Sequence, residues 1–280
     1  MTLHCFRRLV MAALLVAVLA MPVAARAAEM YYVSLGDSLA AGFQPDGPQD
    51  QGYADQLFEA LQAKIPHLQL VKLGCYGEST VTMTTGGLCL YPHGSQLAEA
   101  VAFLHSHRGS VALITIDLGA NDVDCPITVP LDRRCIAHGL TAIESDLPTI
   151  LKTLREAVGP KIPIVGMTYY DPSLALWLEG AVGRAEAMAN LPAFLRFNDT
   201  LERIYKAAGS PVADVEGAFS TTDFATTVFS TDFGPIPLNV ARICQWTWMC
   251  MSPPLGPDIH ANTEGYGVIA DAFLKALPFR

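Results

Sequence analysis

The sequence predicts an α/β protein in which parallel strands form one sheet covered on both faces by helices. Three observations carry this reading. Short β-rich runs alternate with longer segments of helical periodicity along most of the chain. The clearest of these runs end in glycine-containing loops that lead back into helices. Apolar residues make up 51% of the 280 positions against 16% charged, enough to bury a sheet on both sides. No internal repeat and no Gly/Ser-rich or charged linker divides the chain, so one domain over 29–280 is expected.

The elements follow in order. Met30 to Leu35 is a short apolar run ending at Gly36, as a buried strand before a turn should be. Leu57, Leu61 and Lys64 belong to a helical stretch that Pro66 stops, and Leu68 to Leu73 is a second strand. Ser95 can cap a helix with Leu97, Val101 and Leu104 on one face, ended by Gly109. Val111 to Leu118 is the most strand-like run. Ile143, Leu147, Ile150, Leu151 and Leu154 recur at helical spacing, with Pro148 marking a kink or a start. Ile162 to Met167 and Pro211 to Val215 read as strands, with a largely helical Ala185 to Ala208 between them. Tyr266 to Leu277 closes the chain as a helix. Residues 217–257 break the alternation. This irregular stretch, rich in Thr, Phe and Trp, is too long for an ordinary connection and reads as a functional loop.

The N-terminal segment has the three parts of a secretory signal. Arg7 and Arg8 precede an uncharged apolar run from Leu9 to Val23, and Ala25-Arg26-Ala27 supplies small residues for cleavage after Ala27 or Ala28. The run is shorter than the roughly 20 residues a spanning helix needs, so residues 1–28 are expected to be removed rather than to anchor the chain. Without Arg7, Arg8 and Arg26, the 18 basic residues fall to 15 against 27 acidic ones, a net charge of −12. That sign repels phosphate backbones and anionic lipid headgroups, which excludes a nucleic-acid partner. Cys5 lies ahead of the apolar run and away from the cleavage site. The remaining cysteines are Cys75, Cys89, Cys125, Cys135, Cys244 and Cys250. An even count in an exported chain points to disulfides, although six cysteines allow fifteen pairings. The sequential pairs Cys75–Cys89, Cys125–Cys135 and Cys244–Cys250 would close loops of 14, 10 and 6 steps. No CxxC or HExxH spacing suggests a metal.

The chemistry lies in four places. Gly36-Asp37-Ser38-Leu39 follows the first strand, where a serine at a strand-to-helix turn can face the ligand crevice or simply cap the helix. Gly74-Cys75-Tyr76-Gly77-Glu78-Ser79 follows the second strand, and Gly119-Ala120-Asn121-Asp122 follows the third. In a parallel sheet all three loops lie at the carboxyl ends of the strands, where ligands bind. Ester cleavage needs donors aimed at a developing oxyanion. The N–H groups of Ser38 and Gly77 and the Asn121 amide would supply three. His260 precedes a helix that Asn262 or Thr263 can cap, a position from which an imidazole can serve a serine as general base.

These blocks resemble the GDSL/SGNH hydrolases, whose four blocks carry Ser, Gly, Asn and His in that order, here Ser38, Gly77, Asn121 and His260. The resemblance spans residue 31 to about residue 275. It implies a flavodoxin-like three-layer α/β/α sandwich with a five-stranded parallel sheet. It also implies hydrolysis of carboxylic esters with neither metal nor organic cofactor, as in secreted bacterial esterases and lipases. One departure stands out: the family's usual acid lies three residues before the histidine, where this chain has Pro257. Asp258, two residues before, is the candidate orienter, with a main-chain carbonyl as the alternative. Phe224, Phe229, Phe233, Trp246, Trp248, Met249 and Met251 crowd the long loop and either line an acyl pocket, Trp246 and Trp248 foremost, or form the loop's own small core.

Other patterns fail on context. Gly265-Tyr266-Gly267-Val268-Ile269-Ala270 fits a dinucleotide fingerprint but follows no strand. There is no G-x-S-x-G elbow. Asn198-Asp199-Thr200 is a glycosylation sequon. The expected function is ester hydrolysis through an acyl-serine, on a small-molecule or lipid ester. Phospholipids, thioesters and carbohydrate acetates remain open as substrates, and a non-catalytic secreted binding module on the same fold is the rival.

Overall fold

The sheet is built from β1 (Met30–Gly36), β2 (Leu68–Lys72), β3 (Val111–Asp117), β4 (Ile164–Met167) and β5 (Val212–Ala213), all parallel, in the order β2-β1-β3-β4-β5. The structure is a computed structural model that describes residues 29–123 and 132–278. The expected signal segment and Cys125 lie outside these residues. The central strands are buried almost end to end, as expected when helices cover both faces.

The helices are α1 (Ser38–Ala41), α2 (Tyr53–Gln62), α3 (Thr80–Thr85), α4 (Gln96–Ser106), α5 (Arg133–Val158), α6 (Gly180–Ala207), α7 (Val215–Ala218), α8 (Leu238–Trp246) and α9 (Thr263–Ala276). On one face α2 packs against α9, with Tyr53 and Phe273 stacked at 4.8 Å. On the other, α4, α5 and α6 pack side by side over β1 and β4. The outcome is a three-layer sandwich. Local chemistry sets several boundaries. Ser95 caps α4 by accepting from the Ala98 N–H, and Asn262 caps α9 by accepting from the Gly265 N–H. Ile143, Leu147, Ile150, Leu151 and Leu154 form the buried stripe of α5.

Two expectations need correction. Pro148 starts no helix: α5 begins fifteen residues earlier, at Arg133, and runs through it. The stretch 217–257 is not irregular, because it contains α8 and a hairpin of β6 (Thr227–Ser230) and β7 (Gly234–Pro237). Pro235 and Pro237 hid the second strand from the sequence pattern. A two-stranded sheet has only edge strands, where proline's missing N–H is tolerated. The sequon residue Asn198 is not a surface acceptor. It is 1% exposed, accepts from the Tyr169 N–H and donates to the Tyr169 carbonyl.

Strand register places the chemistry-bearing loops together. Gly36 pairs with Asp117 and Ser34 with Lys72, so the loops after β1, β2 and β3 leave the sheet at one edge. Close approach there requires glycine. At Gly36, with φ +132°, a Cβ would lie 2.0 Å from the Asp117 carbonyl oxygen. Among the described residues, no helix is long and apolar enough to cross a membrane.

Candidate active site

Ser38 is the first residue of α1 and is buried. Asp37 caps the helix, its Oδ1 accepting from the Leu39 N–H at 2.8 Å. At the first helical position the Ser38 N–H has no intrahelical acceptor and stays available to a ligand.

His260 reaches the serine from the far end of the chain. Its Nε2 lies 2.8 Å from Ser38 Oγ, and its Nδ1 lies 2.7 Å from Asp258 Oδ1. The same Asp258 oxygen accepts from the His260 backbone N–H at 2.9 Å. This contact shows how a two-residue spacing brings the carboxylate to the ring. An aspartate that accepts from the N–H two positions on closes an Asx turn, and the turn brings its carboxylate against its neighbour's ring. A carboxylate can only accept, so Nδ1 carries the proton and Nε2 is left to accept from the serine hydroxyl. The segment is pinned from both sides. The Trp248 N–H donates to the His260 carbonyl, Thr247 bridges Ala261, and the Tyr170 hydroxyl donates to the Ile259 carbonyl at 2.8 Å. The imidazole packs against Phe43 at 4.5 Å and Tyr76 at 5.7 Å.

The loops after β2 and β3 meet beside it. Asn121 lies in a 3₁₀ turn, Ala120–Asp122, and its Nδ2 donates to the Glu78 carbonyl at 2.9 Å. The other amide hydrogen has no acceptor among the described residues. The Asp122 carboxylate accepts from the Thr80 hydroxyl at 2.6 Å and the Thr80 N–H at 2.9 Å, tying the third loop to the second. Gly77 has φ +79°, and a disulfide between Cys75 and Cys89 closes its loop. Cys244 is bonded to Cys250 just ahead of the histidine segment. Cys135 is disulfide-bonded as well, and its expected partner Cys125 lies outside the described residues.

The two tryptophans expected in an acyl pocket differ in their surroundings. Trp246 packs edge-on against Phe219 at 5.1 Å, lies under the Arg242 guanidinium and donates to Glu264. Trp248 sits beside the histidine segment with its indole N–H buried and without an acceptor among the described residues. Phe224 packs against Trp177, while Phe229, Phe233 and Met251 are exposed.

Sequence reasoning missed a buried carboxyl pair under the serine. Asp37 and Asp117 face each other with no solvent access. Asp37 also accepts from the Tyr169 hydroxyl at 2.8 Å, and Asp117 from the Tyr53 hydroxyl at 2.6 Å and the Ala40 N–H at 3.1 Å. Burial pushes both carboxyls upward. The hydrogen bond from Asp117 then pulls Asp37 down, while the charge on Asp37 pushes Asp117 higher still. Of the two, Asp117 is the one held further toward its protonated form. Asp117 ends a strand that reads as apolar, and an acid inside such a run was the available signal.

A histidine in contact with both a serine and a carboxylate, at the carboxyl edge of a parallel sheet, places the chain among α/β proteins equipped for hydrolase chemistry. The chain belongs to the GDSL-like Lipase/Acylhydrolase family, whose model matches residues 34–268. Solved structures share the fold. The extracellular lipase from Streptomyces rimosus aligns with a TM-score of 0.56 at 17% identity, over 89% of this chain and 100% of the lipase. An acetylxylan esterase from Geobacillus stearothermophilus aligns at 0.56 and 16% identity, over 90% and 95%. A GDSL-like lipase from Parabacteroides merdae, itself described as putative, aligns at 0.57 and 15%, over 89% and 95%. No curated protein matches the sequence.

Proposed function

We propose that the chain is an exported serine hydrolase that cleaves carboxylic esters through an acyl-serine intermediate. The observation that carries this is the unbroken relay Asp258 Oδ1–Nδ1 His260 Nε2–Oγ Ser38, at 2.7 and 2.8 Å. His260 takes the proton from Ser38 as the oxygen attacks the ester carbonyl, and Asp258 holds the ring and balances the imidazolium. The N–H groups of Ser38 and Gly77 and the other hydrogen of the Asn121 amide stabilise the tetrahedral oxyanion. His260 then protonates the departing alcohol, and water releases the acid by the same steps in reverse.

Acyl esters suit the site better than acetylated sugars. From Ser79 to Pro92 the chain carries no charged side chain. It exposes Val81, Leu88 and Leu90, and Leu88 lies 3.9 Å from where a Cβ on Gly77 would stand. Export is supported by the apolar N-terminal run and the disulfides. The rival binding module drew on the proline at position 257, and the Asp258 contact favours the enzyme instead.

Labelling with a fluorophosphonate tests the reading. The folded, oxidised protein takes up one label, Ser38→Ala takes up none, and a series of p-nitrophenyl esters gives rising kcat/KM from acetate to mid-length acyl chains. Labelling that persists in Ser38→Ala would remove the serine from the mechanism.

A further inference from the structure

The three candidate oxyanion donors come from three loops, and one buried side chain links two of these loops. Gln96 opens α4 directly after its cap and has no solvent access. Its amide pairs with both main-chain groups of Gly36: the Gly36 N–H donates to Oε1 at 2.7 Å, and Nε2 donates to the Gly36 carbonyl at 2.9 Å. Nε2 also donates to Glu78 Oε2 at 3.0 Å and approaches the Tyr91 hydroxyl at 3.2 Å, which itself donates to the Leu73 carbonyl at 2.6 Å.

Gly36 stands two residues before Ser38, and Glu78 directly follows Gly77. The Glu78 carbonyl is also the acceptor that holds the Asn121 amide at 2.9 Å. Few side chains could occupy this position. A carboxylate would lack the donors, and an aliphatic chain would leave the buried Gly36 N–H unpaired. Glutamine both donates and accepts without charge.

We propose that Gln96 is a positioning residue for the oxyanion hole, setting the spacing between the Ser38 loop and the Gly77 loop so that all three donors converge on one oxygen. The inference rests on the hydrolase reading above. Gln96 touches no reacting atom. It acts through Gly36 and Glu78, and its loss is felt where the oxyanion forms. Displacing catalytic groups by about 1 Å can cost on the order of 100-fold in rate.

The test is Gln96→Leu, assayed on p-nitrophenyl butyrate, with circular dichroism and thermal melting to establish that the variant is folded at the assay temperature. The expected result is a fall in kcat of about 100-fold with KM changed less than about threefold. A double-mutant cycle with Asn121→Ala should give a combined loss at least about tenfold smaller than the product of the single losses, because both act on one oxyanion site. Glu78→Leu breaks the same link from its other end and serves if Gln96→Leu does not fold. Glu78→Gln, which keeps an acceptor for Gln96, should recover most of that loss. A folded Gln96→Leu with kcat within twofold of wild type, or losses that multiply in full, would overturn the proposal. If the wild-type protein neither hydrolyses the ester nor takes up fluorophosphonate, the hydrolase reading falls and this inference with it.

Discussion

Asp258 offers the sharpest test of the relay, because the structure ranks two substitutions at one position. One oxygen of its carboxylate accepts from both the backbone N–H and the ring Nδ1–H of His260. Asp258→Ala removes this acceptor from both donors. The side chain is 28% exposed, so water can reach the vacated site and recover part of the loss. A hydrogen bond to a charged group contributes about 1.5–3 kcal/mol. If that amount is lost only in the transition state, where the ring is cationic, kcat falls by about 10- to 150-fold. Asp258→Asn differs in a specific way. The His260 backbone N–H requires an acceptor, so the amide turns its oxygen toward both donors and preserves the tautomer, losing only the charge. Its loss should be near 10-fold or smaller. The assay is kcat on p-nitrophenyl butyrate at pH 8, with melting curves as the control for folding. If Asp258→Ala stays within twofold of wild type, or the asparagine variant is the worse of the two, Asp258 does not orient the histidine.

Two predictions concern stability. Replacing Cys75 and Cys89 by alanine opens a 14-residue loop and should cost about 3 kcal/mol, read as a drop in Tm of about 6–12 °C. The loss of kcat should appear well below that melting temperature, since Gly77 sits inside the loop; unchanged kcat would mean that the staple serves stability alone. Asp171 is buried with one carboxyl oxygen lacking a partner among the described residues, and burial raises its pKa to about 6. The folded protein thus holds this proton more tightly than the unfolded chain does. Its contribution to stability is complete below pH 4 and declines as pH rises through 6, by on the order of 3 kcal/mol. Asp171→Asn removes that titration. Its Tm should exceed wild type by several degrees at pH 8 and converge with it at pH 4, and a constant offset across that range would refute the assignment.

The sheet and the four motif-bearing loops were legible because their signals are local. Apolar runs of strand length ending in glycine, and Ser95 or Asn262 before a helical pattern, state their roles within a few residues. What escaped notice depends on contacts across long separations. Gln96 looks like an ordinary first-turn residue, and only the fold brings it to Gly36, sixty positions away. Tyr169 reaches Asp37 over 132 positions, and Tyr53 reaches Asp117 over 64. The hairpin and α8 were hidden for another reason. Prolines and exposed residues erase the alternation that marks a strand, so β6 and β7 carry no period-two signal. Asp258, the proposed orienting acid, fell between these cases. The residue was visible, but whether a two-residue spacing could serve depended on a turn that the sequence leaves undetermined.

The carboxyl pair beneath Ser38 presents an electrostatic problem that its own arrangement solves. In the proposed reaction an oxyanion forms next to the serine, and two full negative charges under α1 would oppose it. Burial and the charge on Asp37 hold the Asp117 carboxyl well above the usual carboxylate range, which favours a single charge on the pair. That charge rests on Asp37, where the Leu39 N–H, the Tyr169 hydroxyl and Asp117 disperse it over three hydrogen bonds. The remaining charge also interacts favourably with His260, which becomes cationic when it takes the serine proton. Asp258 contacts the His260 ring and Asp37 acts on it through its charge, and in the proposed mechanism the N–H groups of Ser38 and Gly77 and the Asn121 amide serve the oxyanion. Charge separation in the transition state is matched by fixed groups of opposite sign on each side. The fold achieves this by ending β1 and β3 in register, so that Gly36 and Asp117 lie side by side.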